Sequence, residues 1–183
     1  MSKAWSLPPT AGFAPRRADW RFLFEHPAHP IALGFGSGLV PKGAGTAGSL
    51  CGWAIFVLLY PWLTDWQWAL ALLLAFAVGW WACTRCAQAL RQSDPGAIVW
   101  DEMLGIWLVL WLAMPTDWLG QLFAFGLFRL FDIAKPGPVA WADGVFKARA
   151  GAAIGARQGL GILLDDVVAA MCALLIIALW RVA

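Results

Sequence analysis

Residues 43–64 read GAGTAGSLCGWAIFVLLYPWLT and residues 66–84 read WQWALALLLAFAVGWWACT, with Asp65 between them. Neither stretch holds a charged side chain, and each is close to the ~20 residues that a helix needs to cross a bilayer. Of the 183 residues in the chain, 61% are hydrophobic and only 13% are charged. One soluble domain of this size cannot bury so much apolar surface, so the composition excludes a water-soluble globule as well as a disordered or fibrous chain.

Three further apolar segments follow, at about residues 98–114, 118–131 and 162–180. Together with the first two stretches they predict an all-α membrane bundle of about five transmembrane helices. The segment at 118–131 is short for a complete span, so the count falls to four if it only enters the membrane. The small formal net charge of +2 gives no indication of nucleic-acid binding.

The charges between the apolar segments alternate in sign along the chain. Asp65 and Asp117 lie in two very short connections, whereas basic residues occupy the N-terminal segment and the other two connections: Arg16, Arg17, Arg21, Arg85, Arg91, Lys135, Lys147, Arg149 and Arg157. The positive-inside rule therefore predicts a cytoplasmic N-terminus, two external acidic turns and, with five spans, an external C-terminus. Arg181 is the one charge that opposes this topology.

Ionisable side chains also mark the ends of the last three apolar segments. They are Asp101, Glu102, Arg129, Asp132, Asp165 and Asp166. A carboxylate in a membrane helix costs roughly 2.5–3.5 kcal/mol at the bilayer centre and less near its edge, so compensation is expected. In the predicted topology all six lie at one cytoplasmic depth, where converging carboxylates suit a hard cation. We expect the two acidic pairs, 101–102 and 165–166, to bind Mg²⁺.

A structural interpretation of the same residues is the alternative. Asp101 and Glu102 would favour the positive end of a helix dipole, and Arg129 with Asp132 would form an i to i+3 ion pair. Two adjacent acidic pairs in a chain with only eleven acids favour the functional interpretation.

The glycine-rich run GFGSGLVPKGAGTAGS at residues 34–49 leads directly into the first apolar stretch. Backbone amides at a helix N-terminus bind phosphate. The run also supplies three hydroxyls and one cation, on Ser37, Thr46, Ser49 and Lys42. We predict a re-entrant, phosphate-binding loop, with a hinge packed by small residues as the alternative.

Two further cations are expected to hold the same phosphate. Arg129 and Asp132 lie three residues apart and share a helix face, and Lys135 falls just beyond the helix end that Pro136 enforces. Asp132 then orients these cations or adds a metal ligand. His29, just before the glycine run, is a candidate acid or base, with capping or a headgroup contact as the alternative.

Four motifs in order resemble the bacterial phosphatidylglycerophosphatase A family. They are the run from His29 through Thr46 to Ser49, IVWDEMLG at residues 98–105, FRLFDIAKP at 128–136 and GLGILLDD at 159–166. The resemblance extends from about residue 29 to residue 175. Four separate motifs in the same order are far more specific than any one of them.

The resemblance implies a magnesium-dependent phosphatase of the bacterial inner membrane that converts phosphatidylglycerol phosphate to phosphatidylglycerol. The charge pattern predicts that its active site faces the cytoplasm. The implied catalytic residues are Asp101, Glu102, Asp132, Asp166 and Arg129. Residues 29–183 would form a single integral membrane catalytic domain. Residues 1–28 would form an irregular basic segment, either interfacial or ordered by packing. We favour direct attack of a metal-bound water on the phosphate. A covalent intermediate on an aspartate is the alternative.

A cation- or proton-coupled transporter is the rival from another class, because intramembrane acids also carry ions. Transporters of that kind are often built from inverted repeats, and the chain shows no second copy of the glycine run. Its acids also lie at one end of the predicted spans and not at the midplane.

Overall fold

The structure, a computed structural model, describes residues 14–146 and 154–182. These ranges contain helices and no strand, which confirms the all-α prediction. The helices are α1 Trp20–Leu23, α2 Ala28–Ala32, α3 Ala44–Leu59, α4 Asp65–Leu90, α5 Trp100–Ala113, α6 Trp118–Ala134, α7 Gly137–Phe146 and α8 Ala156–Val182, with 3₁₀ segments at Gly34–Leu39 and Tyr60–Trp62. The first 13 residues of the basic N-terminal segment, and Lys147 and Arg149 of the topology prediction, lie outside the described residues.

Three of these helical segments are long and apolar enough to cross a membrane: Ala44–Trp62, Asp65–Leu90 and Ala156–Val182. The chain therefore has the character of a membrane protein. α5 has 14 residues and α6 has 17. At 1.5 Å per residue they are about 21 and 26 Å long, against ~30 Å for the hydrocarbon core of a bilayer. The total of five spans and the re-entrant loop stay predictions.

The helix ends follow local signals in the sequence. Thr64 and Gln67 form a capping box at the start of α4, and Asp117 accepts a hydrogen bond of 2.8 Å from the Gly120 amide at the start of α6. α6 ends at Ala134, and the capping residue Lys135 has a left-handed backbone (φ 41°) and precedes Pro136. α8 begins at Ala156, six residues before the predicted apolar segment, so Asp165 and Asp166 lie well inside the helix.

α5 lies inside the bundle, where it packs against α3, α4, α6 and α8. Glycines allow this close packing. A side chain at Gly52 would collide with Ile106 of α5, one at Gly79 with Trp100, and one at Gly105 with Phe128 of α6. The first turn of α5 is thereby held where α3, α6 and α8 can all reach it.

The described part of the N-terminal segment packs onto this bundle. Phe22 and Leu23 of α1 are buried, and the Arg16 amide donates a 2.9 Å hydrogen bond to the Leu90 carbonyl at the end of α4. Arg16 also pairs with Glu25, which lowers the pKa of that exposed carboxyl through the hydrogen bond. At the other end of the bundle, Arg181 donates to the Ala113 carbonyl and so satisfies the C-terminus of α5.

We expect Gly159→Val to destabilise the bundle. A side chain at Gly159 would lie 2.9 Å from the Thr84 Cα, so the α4 backbone itself would have to move. Overpacking of this kind costs about 1–3 kcal/mol, and the thermal midpoint of the purified protein in detergent should fall. Gly144→Val is the matched control, because a side chain there meets no described atom within 4 Å. Equal midpoints for the two variants would contradict the close α4–α8 contact.

Candidate active site

Three carboxylates from two helices meet at one end of the bundle. Asp101 and Glu102 lie in the first turn of α5, where the positive end of the helix dipole favours acidic side chains. Asp166 is buried and lies ten residues into α8. One carboxylate oxygen of each lies within 4.8 Å of the other two. We call Asp101, Glu102 and Asp166 the acid cluster.

Each residue of the acid cluster has an oxygen that is buried and lacks a hydrogen-bond partner among the described residues. These atoms are Asp101 Oδ1, Glu102 Oε2 and Asp166 Oδ2. Buried carboxylates are costly unless they are paired or coordinate a metal. Carboxylate oxygens are the ligands that hard cations such as Mg²⁺ prefer. The donor set therefore fits a divalent cation.

Arg129 and Asp132, both on α6, border the acid cluster. The Asp132 carboxyl is adjacent to that of Asp166 and accepts a hydrogen bond from Arg129 Nη1. Both side chains of this pair are only 13% exposed. The Arg129 Nε is a buried donor without a described partner. The Arg129 guanidinium therefore lies beside the carboxylates and retains an N–H group that can donate a further hydrogen bond.

The first two turns of α3 complete the site. Arg129 donates to the Ser49 hydroxyl at 3.3 Å and to the Thr46 hydroxyl at 3.4 Å. A side chain at Gly45 would lie 2.2 Å from Glu102 Oε1 and 3.2 Å from Arg129 Nη2. Glycine at this position lets the acid and the guanidinium approach the α3 backbone. The site thus combines carboxylates, one guanidinium and hydroxyls, which are groups that can bind a cation and a phosphate together.

Asp165 and Lys135 form a separate group beside this site. Lys135 Nζ donates to Asp165 Oδ2 and to Asp143 Oδ1, each at 2.6 Å. Burial lowers the pKa of Lys135, but the hydrogen bonds to Asp143 and Asp165 outweigh this effect and hold the pKa above its ordinary value. Asp165 is thus bonded to Lys135 through Oδ2, and its Oδ1 accepts a 3.2 Å hydrogen bond from the Asp166 amide, so this carboxylate has partners that the acid cluster lacks.

The remaining predicted residues take different positions. Ser37 donates to the Gly34 carbonyl at 2.8 Å within its own 3₁₀ segment. Lys42 is exposed, and its side chain makes no ion pair with any residue in 14–146 or 154–182. His29 is 4% exposed, stacks on Phe22 with ring centroids 3.9 Å apart, and donates through Nδ1 to the Phe22 carbonyl. Burial lowers the pKa of His29, and the stack and hydrogen bond with Phe22 hold α1 against α2.

Two residues of this region were missed by sequence reasoning. Asp143 had no predicted role, because nothing in the sequence connects it to Lys135. Gly45 was counted only as one amide of a phosphate-binding loop, whereas its contribution in the structure is the absence of a side chain opposite Glu102. The sequence signal available for this role was the pair Gly45-Thr46 at the start of α3.

The structure is that of a helical membrane protein, since three of its helices are long and apolar enough to cross a bilayer. At one end of the bundle, clustered carboxylates and an arginine form a site suited to an ionic ligand. The model of one family, described as Phosphatidylglycerophosphatase A, matches residues 30–181. The chain belongs to this family, and it is a phosphatase.

Individual relatives agree with the family match. The chain is 36% identical over 156 residues to phosphatidylglycerophosphatase A of Escherichia coli strain K12, covering 83% of this chain and 82% of that protein. The Haemophilus influenzae protein of the same name is 36% identical over 152 residues, covering 83% and 87%. A Bacteroides thetaiotaomicron protein named "Putative phosphatidylinositol-3-phosphatase" is 38% identical over 159 residues, covering 82% and 91%. None of these names supports the transporter alternative, and no solved structure matches the chain.

Proposed function

We propose that this protein hydrolyses the terminal phosphate of phosphatidylglycerol phosphate with the help of Mg²⁺, releasing phosphatidylglycerol and inorganic phosphate. The observation that carries the proposal is the acid cluster, in which three converging carboxylates each retain an unpartnered buried oxygen. The substrate class follows from the names of the two relatives from Escherichia coli and Haemophilus influenzae.

Asp101, Glu102 and Asp166 would hold the cation, which when bound supplies charge stabilisation for phosphoryl transfer. Arg129 binds oxygens of the phosphate through the part of its guanidinium that Asp132 does not occupy. Thr46 and Ser49 orient that guanidinium and offer hydroxyls to the phosphate. Asp132 fixes the Arg129 rotamer and places a further carboxylate against the cluster.

Lys135 has a positioning role in this proposal. Because its ammonium is bonded to Asp143 and Asp165, it ties α7 to α8 beside the acid cluster. Its charge still contributes to the potential that attracts a phosphate. Lys42, exposed at the mouth of the glycine run, adds to that potential without a described partner, and Ser37 stabilises the turn that precedes α3.

The substrate proposal is tested by measuring phosphate release from purified protein with two lipids in matched detergent micelles. One is phosphatidylglycerol phosphate, and the other is phosphatidylinositol 3-phosphate, which the name of the Bacteroides relative indicates. We expect release from the first lipid only when Mg²⁺ is present. Preference for the inositol lipid would replace the substrate proposal, and release that persists in excess chelator would refute the role of the metal.

We also propose that the protein lies in the bacterial inner membrane with the acid cluster facing the cytoplasm. The support is the charge pattern, since basic residues cluster at the end of the bundle that holds the acids. A single cysteine at position 91, on a cysteine-free background, should resist a membrane-impermeant thiol reagent in sealed cells. The same cysteine should react in inverted vesicles. Labelling from outside the cell would reverse the topology.

A further inference from the structure

An apolar groove of about 710 Å³ opens between α3 and α4. These two helices are joined by a short segment and both pack on α5, but they make few direct contacts with each other. Ten apolar side chains line the groove, most of them on α4, and Trp100 and Trp107 of α5 lie at its base. We call this surface the α3–α4 groove.

The α3–α4 groove is separate from the active site. No residue of the acid cluster lines it, and neither does Arg129. Trp100 and Trp107 are seven residues apart and so share one face of α5. Glu102 lies about 200° around the helix from Trp100, on nearly the opposite side of α5. A molecule in the groove therefore does not contact the site where the phosphate would bind.

Three indoles line the groove, and one of them has an N–H group without a partner. Trp100 Nε1 donates to the Ala75 carbonyl at 3.0 Å, and Trp107 Nε1 donates to the Gly52 carbonyl at 2.7 Å. Trp68 is only 2% exposed, and its Nε1 has no hydrogen-bond partner among the described residues. A buried donor without an acceptor is costly, so this wall of the groove favours a ligand that supplies an acceptor oxygen.

Trp68 lies near one membrane interface, at the depth expected for lipid ester groups. It is the fourth residue of α4, about 4.5 Å along the helix axis from Asp65, where the apolar span begins. Trp62 and Trp66 beside it are largely exposed, as tryptophans at a membrane interface are. The α4 lining residues continue from Trp68 to Val78, a rise of about 15 Å. This length is half of the ~30 Å hydrocarbon core, so the groove is about as long as one leaflet is thick.

We propose that the α3–α4 groove binds one phospholipid of the leaflet on the Asp65 side. An ester carbonyl of this lipid accepts a hydrogen bond from Trp68 Nε1, and one acyl chain lies along the groove. The apolar lining matches the hydrocarbon chain, and the carbonyl supplies the acceptor that the indole lacks. In the topology proposed above this is the outer leaflet, so the lipid is not the substrate that reaches the acid cluster.

A transmembrane helix of a second copy is the alternative occupant. Over about 15 Å, a volume of about 710 Å³ gives a mean cross-section of about 47 Å². A helix 10 Å across has a cross-section of about 80 Å². The groove is therefore narrower than a helix with its side chains, and an acyl chain is favoured.

The hydrogen bond is tested by native mass spectrometry of the purified protein with two competing lipids. Both are phosphatidylethanolamines with chains of equal length, one ester-linked and one ether-linked, and only the ester lipid carries carbonyl oxygens. The wild type with one lipid bound should favour the ester form about threefold to tenfold, as one hydrogen bond would. Trp68→Phe keeps an aromatic ring against Phe56 and should bring the ratio close to one. Trp66→Phe, at the exposed tryptophan two residues away, should leave it unchanged.

The position of the chain is tested with a second pair of variants. Ala71 is half-buried and lines the groove, whereas Leu73 is exposed and does not line it. Ala71→Trp should fill the groove and lower the amount of bound ester lipid at least about fivefold. Leu73→Trp adds the same ring on another face of α4 and should bind as much lipid as the wild type. The ester-to-ether ratio is measured within one sample, so the first test does not depend on how well Ala71→Trp folds.

Several outcomes would overturn the proposal. The hydrogen bond is refuted by a ratio near one in the wild type, or by a ratio that Trp68→Phe leaves unchanged. Equal lipid binding by Ala71→Trp and Leu73→Trp refutes the position of the chain. A raised KM for phosphatidylglycerol phosphate in Ala71→Trp alone would assign the groove to the substrate, and a dimer that Ala71→Trp alone dissociates would assign it to a second copy. Phosphate release by the wild type tests the proposed function separately.

Discussion

Asp101→Asn and Asp166→Asn should each lower phosphate release by at least about a hundredfold while the protein still inserts and folds. Each amide nearly preserves the shape of the side chain but removes one anionic oxygen from the acid cluster, whose three members lie within 4.8 Å of one another. Loss of a ligand from a cation site removes charge stabilisation that the reaction needs. The rate is measured with purified variants at saturating Mg²⁺.

The control for these variants is Asp65→Asn, a matched substitution in the first turn of α4, at the opposite end of the bundle. It should retain the wild-type rate. Asp165→Asn, next to one ligand but bonded to Lys135, should lower the rate less than Asp166→Asn does. Full activity in both Asp101→Asn and Asp166→Asn would contradict the assignment of the acid cluster.

Arg129→Lys should lower phosphate release by about tenfold to a hundredfold although it keeps the positive charge. The guanidinium contacts Asp132, Ser49 and Thr46 at the same time, and its planar fork has donors left for a phosphate. Lysine presents a single point charge and cannot reproduce this fork. The separate effects on KM and kcat in the micelle assay show whether binding or turnover is lost.

A purely structural role for Arg129 predicts a different pattern. If the arginine only compensates the partly buried Asp132 carboxylate, replacing both residues by leucine removes the need for either charge. The double variant Arg129→Leu/Asp132→Leu would then regain the wild-type rate. We expect it to stay as inactive as Arg129→Leu alone.

The hydrophobic pattern predicted the five long helices, but it missed α7, which lies in the stretch treated as a basic connection. All five apolar segments fall on helices α3, α4, α5, α6 and α8, because long apolar runs in a membrane must satisfy their backbone hydrogen bonds internally, which a helix does. Asp65 and Asp117 both begin helices, as residues in short polar turns do. The start of α8 was placed six residues too late, since the polar residues Arg157 and Gln158 continue the helix beyond its apolar part.

The partners of individual acids were harder to predict. Adjacent residues on a helix point about 100° apart, so an acidic pair either straddles a site, as Asp101 and Glu102 do, or sends its two side chains to different partners, and sequence alone does not say which. The structure turns Asp166 toward Asp101 and Glu102, and Asp165 toward Lys135. The Asp143–Lys135 contact depends on the fold of α7 against α8, for which no local pattern exists.

The most direct test of the central proposal measures metal binding without any reaction. Mn²⁺, which prefers the same hard oxygen ligands as Mg²⁺, is titrated into the purified protein and followed by electron paramagnetic resonance. We expect the wild type to bind Mn²⁺, Mg²⁺ to displace it, and the double variant Asp101→Asn/Asp166→Asn to lose the binding with its helical content unchanged. Equal Mn²⁺ binding by the wild type and the double variant would contradict the proposal that the acid cluster holds the metal.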